Sequence, residues 1–274
     1  MEFLQPPAWR EALEARAAHP DALPIWGGTD VMVELNFARK RPPALLDLTN
    51  VPELSRWDAE DGGVRIGAGV SYTRLIRELG DRLPGLAMAS RTVGSPQIRN
   101  RGTIGGNLGS SSPAGDALPP LYAVGAMVDL ASVRGERRVP IDDFIVGPKR
   151  NVLADDELIA GVWVPERPGA AQQFAKVGTR NAMVIAVCSF ALDLGTGRTC
   201  IGSAGPTPLR AHDAEAFLAE LDALDEGAAT RFGELVASAA SPIDDVRGTA
   251  AYRRHALAVL AKRTLTWAWK DRSL

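Results

Sequence analysis

Cysteine and histidine are scarce in this chain. Of 274 residues, two are cysteine (Cys188 and Cys200) and three are histidine (His19, His212 and His255), all dispersed. Iron–sulfur clusters need about four thiolates, and structural zinc needs closely spaced Cys or His ligands. The sequence therefore predicts no metal centre on this chain. Two thiols build no disulfide scaffold, and they fit a reducing cytoplasm. Both lie in apolar, strand-like segments and read as buried, inert thiols. Three scattered histidines and the lack of a Gly-x-Ser-x-Gly elbow argue against nucleophilic hydrolysis. The acidic pairs Asp142-Asp143 and Asp155-Asp156 sit in turn-like segments and read as solvated caps, not as an acid/base pair.

Long apolar runs are missing too. None reaches the roughly 18 residues of a membrane span. The first residues, Met1 to Pro7, carry neither the basic region nor the apolar core of a secretory signal. Charge is nearly balanced, at a formal net of −2. That gives no global electrostatic case for nucleic acid or an anionic membrane. There is no P-loop and no Gly-x-Gly-x-x-Gly dinucleotide fingerprint.

Glycine turns of another kind are present. Arg99-Asn100-Arg101-Gly102-Thr103-Ile104-Gly105-Gly106-Asn107 places three glycines within five residues, and Ser110 to Asp116 follow. A second turn, Pro24-Ile25-Trp26-Gly27-Gly28-Thr29-Asp30-Val31, has the same form: apolar residues, Gly-Gly, then a small hydroxyl residue. Lacking Cβ atoms, such turns let backbone amides approach an anion closely. Two of them suit two parts of one extended phosphate ligand. Arg99 and Arg101 read either as phosphate attractors or as surface ion pairs. Asp116 reads as a turn residue or as a partner for sugar hydroxyls. Lys176, in an apolar strand start, reads as a solvated strand residue or as a cation beside a cofactor.

Periodicity organises the rest. Residues 8–18 read as a helix, Leu23–Trp26 as a strand, Val31–Arg39 as a segment capped by Asp30, and Ala44–Leu48 as a strand. Val64–Ala68 reads as a strand, with helices at Tyr72–Leu79 (capped by Ser71) and Leu86–Val93. A hairpin over Val128–Val133 and Arg137–Ile141 and a strand at Leu158–Val164 follow. Glu166-Arg167-Pro168-Gly169 reads as a boundary. Beyond it an antiparallel sheet (Gln172–Val177, Val184–Leu194, Arg198–Ser203) precedes helices at Ala211–Leu224 and Thr249–Lys270, an α+β pattern.

Taken in order, these motifs resemble the FAD-binding subunit of the molybdenum-containing hydroxylases. That family includes the medium subunit of carbon monoxide dehydrogenase and the flavin portion of xanthine dehydrogenases. The resemblance runs nearly end to end. It takes in Gly27 to Asp30, Leu46 to Leu48, Ile66 to Gly69, Arg99 to Asn107, Ser112 to Asp116, Lys176 with Arg180, Pro208 to Arg210 and Tyr252 to Arg254.

The resemblance implies an α+β fold class. A two-part FAD-binding domain of the vanillyl-alcohol-oxidase-like (PCMH-type) fold would span 1–51 and 52–167, with a C-terminal α+β domain over 168–274. It implies a first pyrophosphate loop at Pro24, Ile25, Trp26, Gly27, Gly28, Thr29, Asp30 and Val31. It implies a second at Thr103, Ile104, Gly105, Gly106 and Asn107, with Gly105 and Gly106 both leaving room for the ligand. Asp116 falls on the family's FAD-contacting carboxylate, Val93 and Ile159 on apolar positions near the flavin, and Lys176 on a flavin-proximal lysine. FAD would be noncovalent. A large partner subunit would carry the molybdenum cofactor, and a small one the 2Fe–2S clusters. The acceptor would be NAD or a quinone, and the assembly a dimer of heterotrimers. A stand-alone FAD-dependent oxidase or dehydrogenase of the related fold, or a flavin-free assembly subunit, are the competing readings.

Overall fold

A computed structural model describes residues 1–167, 169 and 171–272. Pro168, at the expected boundary and the first residue of the expected C-terminal domain, lies outside the described residues.

The N-terminal piece is a parallel three-stranded sheet in the order β1 (Glu2–Leu4), β3 (Ala44–Asp47), β2 (Leu23–Ile25). Helix α1 (Trp9–Ala18) joins β1 to β2, and the short α2 (Val31–Asn36) joins β2 to β3. Leu46, Leu48, Val51 and Leu54 form its core with Ala12 of α1. By contrast, α2 buries none of its residues.

The second piece is an antiparallel five-stranded sheet. Its strands are β4 (Trp57–Glu60), β5 (Gly63–Gly67), β6 (Met127–Ser132), β7 (Gly135–Pro140) and β10 (Leu158–Pro165), in the order β4-β5-β10-β6-β7. Between β5 and β6 run five helices: α3 (Tyr72–Glu78), α4 (Pro84–Arg91), α5 (Pro96–Arg101), α6 (Ile104–Ser110) and α7 (Leu118–Val124). Helix α8 (Ile141–Phe144) and the hairpin β8 (Ile145–Gly147) and β9 (Arg150–Asn151) precede β10. Strand alternation decides the two faces. Val64, Ile66, Val128, Leu130, Val162 and Val164 join Leu75, Leu86, Ile104, Leu108 and Leu118 in one core. Arg65 pairs with Asp129 at 2.8 Å and Arg138 with Asp129 at 2.6 Å. These charges line a concavity of about 580 Å³, together with Trp9, Glu60 and Arg137. It lies apart from both glycine segments, and its arginines are paired.

The third piece is the antiparallel sheet β11 (Gln172–Val177), β12 (Cys188–Asp193), β13 (Arg198–Gly202). It is covered on one face by α9 (His212–Ala219), α10 (Glu226–Ala239) and α11 (Ala250–Asp271). The sequence reading missed α10, whose N-cap Asp225 accepts a hydrogen bond from the Ala228 amide at 2.7 Å. Strand β12 is buried throughout. Its large residues Phe190 and Leu192 face the helices, whereas Ala191 meets Ala89 of α4 and Ala123 of α7. That face of the sheet, with Phe174 beside Ala191, packs directly on the second piece. Cys188 and Cys200 are free and buried, and burial pushes the Cys188 thiol up to about 12.

Arg253 of α11 is the largest fully buried side chain, at 2 % exposure. Its guanidinium donates to the Val187 carbonyl at 2.8 Å, the Ser203 carbonyl at 2.6 Å and the Asp245 carboxylate at 2.5 Å. Arg253→Met should cost this domain about 3–5 kcal/mol in denaturant unfolding, because a buried hydrogen-bonded charge pair loses one member. Arg247, and then Arg253, hold the Asp245 carboxyl below its usual range. Its stabilisation is therefore complete above the unfolded value of about 3.9 and is lost as pH falls through the lower folded value. In Arg253→Met that acid-dependent loss should shrink.

Candidate functional site

Strand β2 ends at Ile25, and the chain bends through Trp26 and Gly27 to Gly28, whose φ of +72° favours glycine. Gly27 is a packing glycine. A Cβ there would stand 1.9 Å from the carbonyl oxygen of Arg101. Trp26 packs on Gly69, where a Cβ would meet the indole at 2.6 Å. The amides of Gly27, Gly28, Thr29, Asp30 and Val31 have no acceptor among the described residues. They form a donor set open to an anion. Asp30 does not cap α2 through its side chain, contrary to the sequence expectation. Its carboxylate instead accepts from the Ser110 hydroxyl at 2.7 Å, which ties this loop to α6.

The segment 99–107 is not an open turn. It is the end of α5, two linking residues and the start of α6. Thr103 caps α6, accepting from the Gly106 amide at 3.0 Å. The Ile104 amide donates to the Val70 carbonyl at 3.2 Å, the Gly105 amide to Ala68 at 2.9 Å and the Asn107 amide to Thr103 at 3.1 Å. The second glycine segment therefore does not offer a second set of free amides.

The two glycines also differ in role. Gly105 is buried, and a Cβ there would lie 2.4 Å from the Ala68 Cβ and 2.6 Å from its carbonyl oxygen. That corrects the expectation that both leave room for a ligand: Gly105 makes room for Ala68. Gly106 is exposed, and its only near neighbour would be Thr103 Oγ1 at 3.2 Å. Between the two segments lies Arg101, exposed, its guanidinium 3.5 Å from the Trp26 carbonyl, with no carboxylate partner among the described residues. Arg99 instead donates to the carbonyls of Val93 and Gly94, at 3.1 Å each.

Asp116 and Lys176 meet across the second and third pieces. Lys176 Nζ lies 2.6 Å from Asp116 Oδ2, and the two side chains are 6 % and 9 % exposed. Lys176 also donates to the Thr92 carbonyl at 3.0 Å, and the Thr92 hydroxyl lies 3.4 Å from Asp116 Oδ2. Burial raises the Asp116 carboxyl above its usual range, and Lys176 and Thr92 act in the opposite sense. Thus Lys176 is not a solvated strand residue. Thr92 escaped the sequence reading because its contribution is a carbonyl, which no side-chain pattern signals.

Val93, next to Thr92, is half-buried against the second core, as is Ile159. Ile159 stands at a register shift in β10 and lies 3.6 Å from where a Gly109 Cβ would be. Arg180 stays outside this group, its guanidinium turned onto the Met183 carbonyl. Six buried side-chain polar atoms have no partner among the described residues: Arg16 Nε, Ser203 Oγ and Thr264 Oγ1 lie elsewhere, and Tyr72 OH, Asn107 Oδ1 and Asp116 Oδ1 belong to the second piece. Asn107 and Asp116 are brought close because the Asn107 amide packs on Gly115, where a Cβ would come within 2.9 Å. Open amides, an arginine without a carboxylate partner among the described residues, and the unmatched oxygens of Asn107 and Asp116 fit an elongated phosphate ligand that also carries hydroxyls.

Comparison with known proteins defines the class. Residues 1–167 match the model for the FAD binding domain in molybdopterin dehydrogenase, and residues 173–268 match the CO dehydrogenase flavoprotein C-terminal domain. The chain belongs to this family of molybdenum hydroxylase FAD-binding subunits. It is 32% identical to the nicotine 6-hydroxylase medium subunit of Paenarthrobacter nicotinovorans, over 98% of this chain and 97% of that one. It is 31% identical to a putative xanthine dehydrogenase FAD-binding subunit of Escherichia coli, over 94% and 92%. In structure it is similar to a chain of carbon monoxide dehydrogenase from Hydrogenophaga pseudoflava. The TM-score is 0.93, with 29% identity, 99% of this chain and 98% of that chain covered.

Gly106→Ala should fold with a melting temperature close to wild type yet bind FAD at least about tenfold more weakly, since its methyl enters open space at the site. Gly105→Ala should instead lose about 1–3 kcal/mol of stability through overpacking against Ala68. Thermal melts paired with flavin titrations separate the two.

Proposed function

We propose that this chain holds noncovalent FAD and relays electrons within a molybdenum hydroxylase complex. A large subunit would carry the molybdenum cofactor and a small subunit the 2Fe–2S clusters. The observation that carries the reading is the meeting of the open 27–31 amides, Gly106 and the Asp116–Lys176 pair around α6. In this reading Pro24, Ile25, Trp26, Gly27, Gly28, Thr29, Asp30 and Val31 hold one side of the pyrophosphate. Thr103, Ile104, Gly105, Gly106 and Asn107 shape the other. Val93 and Ile159 supply apolar walls.

Bound FAD supplies two-electron to one-electron redox conversion, and the protein supplies position and electrostatics. Lys176 and Asp116 do that work as one unit. The lysine keeps the buried carboxylate in place, and one carboxylate oxygen has no partner among the described residues. Because Lys176 comes from β11 and Asp116 from the loop before α7, the site is complete only when the third piece is docked.

The acceptor in this reading is NAD or a quinone, the assembly a dimer of heterotrimers and the compartment the cytoplasm. No helix among the described residues is long and apolar enough to cross a membrane. The scarcity of thiols supports placing the clusters on a partner.

The test is a flavin stoichiometry. The chain, alone and coexpressed with its partner subunits, should retain one FAD after gel filtration. Lys176→Met should lower retention and weaken docking of the third piece by about 3–5 kcal/mol, because Asp116 is left buried without its counter-ion. Substrate-reduced complex mixed with NAD or a soluble quinone then identifies the acceptor from the return of flavin absorbance. A folded complex without flavin refutes the cofactor reading.

A further inference from the structure

Tyr72 opens α3, and its ring is buried in the second core at 3 % exposure. Its amide donates to the Gly102 carbonyl at 3.1 Å, and a Cβ on Gly102 would sit 3.3 Å from the ring. The preceding residue, Ser71, bridges to Thr103, the cap of α6. The phenol is thus fixed under the start of α6, from both the backbone and the ring side. Its hydroxyl is fully buried yet has no partner. An apolar core position does not require a hydroxyl, and an unmatched one carries a desolvation cost.

The surroundings of the hydroxyl point to what would match it. The two carboxylates whose charges bear on the phenol are Asp116, of the loop before α7, and Asp30, of the loop before α2. Burial, then Asp116, then Asp30 push its pKa above the usual phenol range, so at neutral pH it keeps its proton and is a hydrogen-bond donor. Of the other unmatched buried atoms, the two in the same piece of the molecule, Asn107 Oδ1 and Asp116 Oδ1, are acceptors. A phosphate only accepts and leaves both of those acceptors unmatched. A chain of hydroxyls both donates and accepts, and it can satisfy all three atoms.

We infer that Tyr72 is a further cofactor-positioning residue, its hydroxyl donating to the ribityl hydroxyl chain of the flavin while Asn107 and Asp116 accept from that chain. This rests on the FAD reading above. Tyr72 is neither part of a glycine turn nor charged, and the sequence showed it only as the first residue of a helix.

The test is Tyr72→Phe in the full chain, coexpressed with its partners if these are needed for flavin binding. FAD affinity is measured by flavin fluorescence titration after flavin removal, and ADP affinity by competition against FAD. ADP shares the pyrophosphate and lacks the ribityl chain. The expected result is a rise of about tenfold in the FAD dissociation constant, the size of one lost hydrogen bond. The ADP constant should stay within about twofold, and the flavin-free melting temperature should be unchanged or higher, because an unmatched hydroxyl has been removed. FAD binding within about twofold of wild type overturns the inference. So does an equal loss for ADP, or a lower melting temperature without flavin. A wild-type chain that binds no FAD even with its partners overturns the cofactor reading itself, and is distinguished because it fails before any substitution is made.

Discussion

Three backbone segments meet in this protein with no room for a side chain between them, and the site depends on that contact. Gly105 presses on Ala68, and Gly27 presses on the Arg101 carbonyl. The first contact fixes the start of α6 against the corner between β5 and α3. The second fixes the loop after β2 against the end of α5. Each is reinforced by backbone hydrogen bonds, from Gly105 to Ala68, Ile104 to Val70 and Tyr72 to Gly102. The glycines here serve first as packing residues. The ligand-facing surface follows because the backbone around them has only one way to lie. This is why two neighbouring glycines, 105 and 106, have unlike roles although the sequence presents them as a pair.

The second dependence is electrostatic. Asp116 is nearly buried, and an unpaired carboxylate there would be costly. Lys176 reaches it from another sheet, which packs on the second piece through Phe174 and Ala191 against Ala89 and Ala123. A buried ion pair adds little net stability against an apolar replacement, but breaking it is expensive. Its value here is registration. It sets β11 against the end of α4, so that Thr92, Val93, Asp116 and Lys176 occupy fixed places.

Much of the architecture was legible in the sequence. Alternation located β5, β6, β7 and β10, and Ser71 was readable as the cap of α3, accepting from the Arg74 amide at 3.4 Å. Apolar flanks marked Cys188 and Cys200 as buried. The two glycine segments were legible as places of close backbone approach, and Gly27 and Gly105 do pack with no room for a Cβ. What was not legible depends on partners distant in sequence. Asp30 looked like a helix cap because a cap is a local feature, whereas its actual partner, Ser110, is eighty residues away. Gly105 could not be told from Gly106, because only the position of Ala68 separates them. Helix α10 was missed although its buried residues Ala229, Phe232, Gly233 and Val236 fall at helical spacing on one face. Thr92 acts through a carbonyl and Tyr72 through its hydroxyl, and neither leaves a pattern along the chain.

The balance of charge in the site explains how such a chain can hold a phosphate-bearing cofactor with so few cations. Lys176 is engaged by Asp116, and Arg99 by two carbonyls, which leaves Arg101 as the cation between the two glycine segments with no carboxylate beside it among the described residues. A doubly charged group is then met chiefly by dipoles, the open amides of residues 27–31. Dipoles fixed by packing need no rearrangement when the ligand binds, and they place no mobile positive charge next to a redox centre. A site built this way separates two tasks. Backbone held by glycine packing grips the anionic part of the ligand. Buried side chains whose partners are incomplete, Tyr72, Asn107 and Asp116, are left to set the orientation of the part that carries hydroxyls.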